Sequence, residues 1–196
     1  IVIEKKNLKN KLENIISNHL VSLGFYEIIT NSLVAERFNK ENPKSVKILN
    51  SQSSDLSNLR TSMIFSGLNV IGHNINRQND NLKLFEFGKV YSNNSKSNYS
   101  EKNIAGIFIC GNKNSESSWN SDKKSVDFYY LKGIVHSIIK MIGIENIIYD
   151  EFSNNYYDYA ESISVGKDMI LKYGLISSSQ TNSIEIENEV FYAELD

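Results

Sequence analysis

The sequence predicts an α+β protein: an antiparallel sheet flanked by helices. Three observations predict it. Residues 8–23 and 128–142 place apolar side chains at helical spacing, and each run stops at a glycine, Gly24 and Gly143. Several other segments are rich in β-branched and aromatic residues. These strand candidates follow one another in mostly hairpin order, with helices inserted, which argues for an antiparallel sheet.

The elements follow in order. Leu8, Leu12, Ile15, Ile16, Leu20 and Leu23 form one face of a first helix. Phe25 to Val34 reads as a strand, followed by a short charged helix or loop from Ala35 to Glu41. Val46 to Leu49 is a brief strand. Ser53, Ser54 and Asp55 offer N-caps for a helix from about Leu56 to Arg77, with Ile64, Leu68, Ile71 and Ile75 as its apolar stripe. Gly67 or Gly72 could break that helix.

Leu82 to Tyr91 alternates as a strand, and Ile104 to Cys110 returns. Ser92 to Lys102 has Tyr99 as its one apolar residue and reads as a polar hairpin loop. Asn112 to Ser125 is polar, a mobile loop with Trp119 as its one anchor. Phe128 to Ile142 turns Leu131, Ile134, Val135, Ile138, Ile139 and Ile142 inward. Strand candidates then lie near Ile147, Ile163, Ile170 and Val190. Residues 1–196 read as one module, and the Ile1 start reads as a segment of a longer protein.

Composition excludes several functions. The 21 basic against 23 acidic residues give a net charge of −2, which disfavours an autonomous nucleic-acid binder. No apolar run is long enough for a spanning helix. A single cysteine, Cys110, rules out an internal disulfide framework and a Cys-based zinc site. It lies in a predicted buried strand with no His or Lys beside it in sequence, and reads as a packing residue. His19, His73 and His136 lie far apart, none with a second His at i+4, so they suggest no metal site. Asp150, Glu151 and Asp158 interleave with tyrosines as a solvated loop. No glycine-rich phosphate loop is present.

Four blocks of sequence carry a resemblance. They are Leu49-Asn50-Ser51 with Leu59-Arg60-Thr61-Ser62, then Asn74 to Asn79, then Leu84-Phe85-Glu86-Phe87-Gly88-Lys89-Val90-Tyr91, then Val126 to Gly133. In this order and spacing the chain resembles the β subunit of bacterial phenylalanyl-tRNA synthetase, in its catalytic-like module. The resemblance is dense from about Glu27 to Lys140. It departs at Ser51, where the family usually has Pro, and near Tyr157 to Ala160 and after Gly174, where His-Pro-Gly and Glu-Leu-His-Pro runs are missing.

The resemblance implies a class II aminoacyl-tRNA synthetase catalytic-domain-like fold that makes no adenylate itself. It implies a role within a ligase that uses ATP and magnesium to charge tRNA(Phe), a catalytic α subunit as partner in an α2β2 heterotetramer, and a cytoplasmic location. No cofactor is expected on this segment. The residues test the point independently. A class II site grips ATP with arginines, whose planar fork bonds phosphate bidentately. Where the catalytic subunits read Gly-Arg-Val-Tyr-Arg, this chain reads Gly88-Lys89-Val90-Tyr91-Ser92, and no arginine follows Arg77.

No catalytic or metal residue is therefore expected. Arg60 is expected to pair with Glu86 or Asp127 at a helix–sheet junction, because Glu86 on an apolar strand is costly if unpaired. Lys132-Gly133 is expected to start a helix over the sheet, with Gly133 permitting close approach. Two rival readings are a free-standing interaction or RNA-binding module and a self-sufficient class II-like ligase. The missing arginines disfavour the second, and the near-neutral charge disfavours RNA as main partner of the first.

Overall fold

The computed structural model describes residues 8–39, 43–95, 98–113 and 124–196. Helix α1 (Leu8–Ser22) leads into β1 (Tyr26–Glu27). A second, small sheet follows, made of β2 (Leu33–Val34), β3 (Val46–Lys47) and β4 (Asn58–Leu59). Then come α2 (Ile64–Ile75), the long hairpin β5 (Leu82–Ser95) and β6 (Asn98–Cys110), and α3 (Phe128–Ile142). The chain closes with β7 (Ile147–Phe152), β8 (Tyr157–Val165), β9 (Asp168–Ile176), the short α4 (Ser178–Asn182) and β10 (Val190–Leu195).

The main sheet runs β1-β5-β6-β10-β9-β8-β7. Every neighbouring pair is antiparallel except β1–β5. Period-two alternation sends Phe85, Ile107, Phe191, Ala193 and Tyr173 to one face, where α1 and α3 cover them. Leu82, Leu84, Phe108, Cys110 and Tyr192 point to the other face, under α2. There Gly67 lets α2 sit directly on the Phe108 ring, which a methyl would strike. Phe108 and Tyr192 are registered partners with ring centroids 4.7 Å apart.

Both long helices end as their glycines require. Gly24 (φ +83°) and Gly143 (φ +79°) adopt the left-handed conformation. After α1 the Phe25 amide bonds Leu20 O and the Gly24 amide bonds Val21 O, the paired bonds of a Schellman stop. Asp127 caps α3, its carboxylate accepting from the Tyr130 amide at 2.7 Å.

Five expectations need correction. Asp150 and Glu151 lie on β7 and Asp158 on β8 rather than in a loop, since their charged side chains sit on the exposed positions of paired strands. Phe25 to Val34 is two strands in two sheets, because the chain leaves β5 after Ile28 and Thr30 turns inward to Glu86. Helix α2 starts at Ile64 rather than near Leu56. Residues 54–56 form a single 3-10 turn capped by Ser53, and Arg60 is held extended by main-chain bonds to Ser32 O and from the Tyr91 amide. Residues 92–102 are mostly strand rather than loop, since backbone pairing needs no apolar side chains and Ser92 and Ser100 bond across the ladder at 2.7 Å. Lys132 and Gly133 lie inside α3 rather than at its start, and Gly133 is exposed with open space beyond its Cα. The α4 turn was not anticipated. Of the polar 112–125 segment, Asn112 and Ser125 close its base as a bridge, and residues 114–123 lie outside the described residues.

Candidate functional site

Arg60 lies at the junction of three segments, on the α2 side of the sheet. Its side chain is 2% exposed and that of Glu86 is 3%. Arg60 Nη2 donates to Glu86 Oε1 at 3.0 Å, Nη1 donates to Thr30 Oγ1 at 2.7 Å, and Nε donates to Lys89 O at 2.8 Å. Thr30 Oγ1 donates to Glu86 Oε2 at 2.6 Å. The guanidinium thus spends its fork on the chain's own carboxylate, hydroxyl and carbonyl. Gly88 makes room for it, since a methyl there would meet Nη2. Asp127, the other partner considered, is engaged by Lys113 instead. That contact and the Tyr130 amide hold its carboxyl below the usual range, against an opposing contribution from burial.

Farther along the same face, β5, β6, β9 and β10 end around a pocket of about 240 Å³. Its lining includes Tyr91, Ser92, Ser100, Lys102, Lys172 and Glu194. Ser92 of β5 stands at this pocket, bonded to Ser100 across the ladder. Both lysines are committed: Lys172 to Glu194 at 3.0 Å and Lys102 to Asp196. Tyr192 Oη donates to Glu194 Oε2 at 2.8 Å, and Ser92 and Ser100 bond each other. The pocket thus balances two cations with two carboxylates and holds no guanidinium. A nucleotide triphosphate would face those carboxylates without a bidentate partner, so the residues present do not fit it.

Elsewhere on α3, Lys132 Nζ bonds both oxygens of Glu161, at 3.0 and 2.7 Å, and Tyr173 Oη donates to the same carboxylate. Burial pushes the Glu161 carboxyl up, but the Lys132 and Tyr173 bonds outweigh it and hold it below the usual range. Cys110 is buried, and burial, then the nearby Asp80 charge, push its thiol up to about 12, so it remains a protonated packing group. Among the described residues no group of three or more His, Cys, Asp or Glu converges as a metal site. Thr30, Lys172, Glu194 and Asp196 were missed by sequence reasoning. Their charged partners (Glu86 for Thr30, Glu194 for Lys172, Lys172 for Glu194 and Lys102 for Asp196) lie 22 or more residues away, and the β-branched Thr30 gave no polar signal in an apolar run.

The phenylalanyl tRNA synthetase beta chain CLM domain family matches residues 1–196. The chain belongs to that family. Phenylalanine–tRNA ligase beta subunits are similar throughout: that of Bacteroides thetaiotaomicron is 33% identical over 95% of this chain and 24% of its own length. That of Porphyromonas gingivalis is 30% identical over 94% and 24%. The CLM chain therefore spans about a quarter of the length of these curated relatives. Two structures of pyrrolysyl-tRNA synthetase from Desulfitobacterium hafniense superpose with TM-scores of 0.73 and 0.75. They are 13% and 12% identical, and the match covers 99% of this chain and 68% of theirs. At that identity the likeness establishes the class II-like fold. No described helix is long and apolar enough to cross a membrane.

Proposed function

We propose that this CLM domain is a non-catalytic scaffold of a phenylalanine–tRNA ligase β subunit, and that it packs on the catalytic α subunit. In this reading the assembled enzyme is an α2β2 heterotetramer in the cytoplasm, and its ATP and magnesium are bound by α while it charges tRNA(Phe). The observation that carries the reading is a concentration of exposed apolar side chains on α1, β1 and the residues that adjoin them. Leu8 (73% exposed), Leu12, Val21, Leu23, Tyr26 (75%) and Ile29 (95%) all face outward within 22 residues of sequence. Isolated exposed apolar residues are ordinary, but six within 22 residues, three on α1, one on β1 and two in the adjoining segments, exceed that scatter and support a surface covered by a partner. The neutralised pocket at Ser92 supports the non-catalytic half of the reading.

The test is co-expression of the full-length β chain with the α subunit of the same genome, followed by native mass measurement and ATP–pyrophosphate exchange. A stable heteromeric complex is expected, with exchange activity absent from β alone. Exchange by β alone would overturn the scaffold reading in favour of a self-sufficient ligase.

A further inference from the structure

Strand β7 ends the seven-stranded sheet, and its outer edge pairs with no described strand. Among the described residues, no main-chain bond other than the β8 ladder reaches residues 147–152. The six residues register with β8 without a shift, and none is proline, glycine or lysine. A bulge, a proline or an edge lysine commonly blunts such an edge, and β7 has none of them. Ile148 is instead 50% exposed and Tyr149 40%. The outward N–H and C=O groups of β7 form a template for one more strand.

The side chains along that edge define what the added strand carries. Glu151 stands directly opposite Glu161 on β8, and Glu161 opposite Tyr173 on β9. Like charges directly opposite each other destabilise a sheet. Glu161 is compensated from within, since Lys132 bonds both its oxygens and Tyr173 Oη donates to it. Glu151 is exposed and has no ion pair among the described residues. The remaining neighbour position in its row lies beyond the edge of the sheet. A strand added there sets a side chain about 5 Å from Glu151. A cation at that place offsets the repulsion from Glu161. Tyr149 shares the face of Glu151, in a row with Ile163 and Leu171, and an aromatic or β-branched neighbour suits it.

We propose that β7 accepts an eighth strand, an extended segment of the full-length β chain from outside these 196 residues, with Lys or Arg opposite Glu151. Two residues from that cation, the segment carries an aromatic or β-branched residue opposite Tyr149. The source follows from chain length. This domain spans about a quarter of its curated relatives. A segment tethered in the same chain meets the edge at an effective concentration on the order of millimolar. The β7 of a second copy would bring Asp150 and Glu151 and no cation. A phosphate backbone would meet the same carboxylates with like charge, which argues against RNA at this edge. The proposal does not rest on the scaffold reading, because the occupant belongs to the β chain itself.

The test places a photocrosslinking residue, Ile148→p-benzoylphenylalanine, in the full-length β chain co-expressed with the α subunit. The purified preparation is irradiated, and the cross-linked segment is sequenced by mass spectrometry. The expected product is a cross-link within one β chain, to a segment outside residues 1–196 that bears Lys or Arg beside the cross-link. Adding Glu151→Lys should cut its yield about tenfold. Exchanging the partner cation for Glu in that variant should restore the yield. A product on a second β chain, on α, or only within residues 1–196 would overturn the proposal. So would a cation-free segment, no product, a yield indifferent to Glu151→Lys, or no recovery on charge exchange. The native mass of the same preparation reports separately whether α and β assemble.

Discussion

The two faces of the sheet each carry a prominent ion pair, and the pairs are built for different work. Arg60–Glu86 on the α2 face is sealed, with both side chains 3% exposed or less. It joins the Thr30 segment, β5 and the approach to α2 through four side-chain hydrogen bonds. Lys132–Glu161 on the α3 face is 37% and 26% exposed, and lies on two elements that already pack through apolar contacts. A buried charge that loses its partner stays desolvated, whereas a half-exposed one recovers water. Burial, more than distance, therefore separates a pair that fixes the fold from one that trims the surface.

Arg60→Leu should cost about 3–5 kcal/mol in urea unfolding, because Glu86 is left buried and charged. Replacing both partners with apolar residues should recover part of the loss. Glu86→Lys should destabilise comparably, and unchanged thermal unfolding would refute the pairing as a stability element. Gly88→Ala should cost about 1–3 kcal/mol, since its methyl would displace the Arg60 guanidinium from its bonds. By contrast, Gly133→Ala on the opposite face should stabilise by about 0.5–1 kcal/mol, as an exposed mid-helix glycine with open space around it. Equal effects at the two glycines would contradict a sealed Arg60 site on one face and open space at Gly133 on the other. Lys132→Met should cost about 1 kcal/mol or less in the same assay.

Acid sharpens the α3 side. Glu161 and Asp127 are both held below their usual carboxylate range when folded. A depressed folded pKa adds stability that is complete above the unfolded value and is lost as pH falls through the folded one. Unfolding followed from neutral pH downward should therefore show stability declining below the ordinary carboxylate range. Glu161→Gln and Asp127→Asn should each flatten that decline, and an unchanged acid limb in both variants would contradict the assignment.

What could be read in the sequence follows the same division between local and distant causes. The α3 boundaries were legible because its apolar period and its stop at Gly143 are local. The split of 25–34 into two strands was not, because a side chain 56 residues away, Glu86, draws Thr30 out of line. The late start of α2 has the same origin in Arg60. The hairpin extended past Tyr91 because polar cross-strand pairs do not register in an apolar pattern. Gly133 suggested close packing by its type alone, and only the fold shows that it faces outward.

The scaffold proposal puts the catalytic subunit against the exposed apolar side chains of α1 and β1. The most direct measurement is sedimentation of the α subunit with full-length β carrying Val21→Glu and Tyr26→Glu, alongside the unaltered chain. Both substituted side chains are exposed, at 56% and 75%, so the β chain should unfold at the same urea concentration as the unaltered one. The heteromeric species should be lost while that midpoint is kept. A complex of undiminished mass and stability would contradict it.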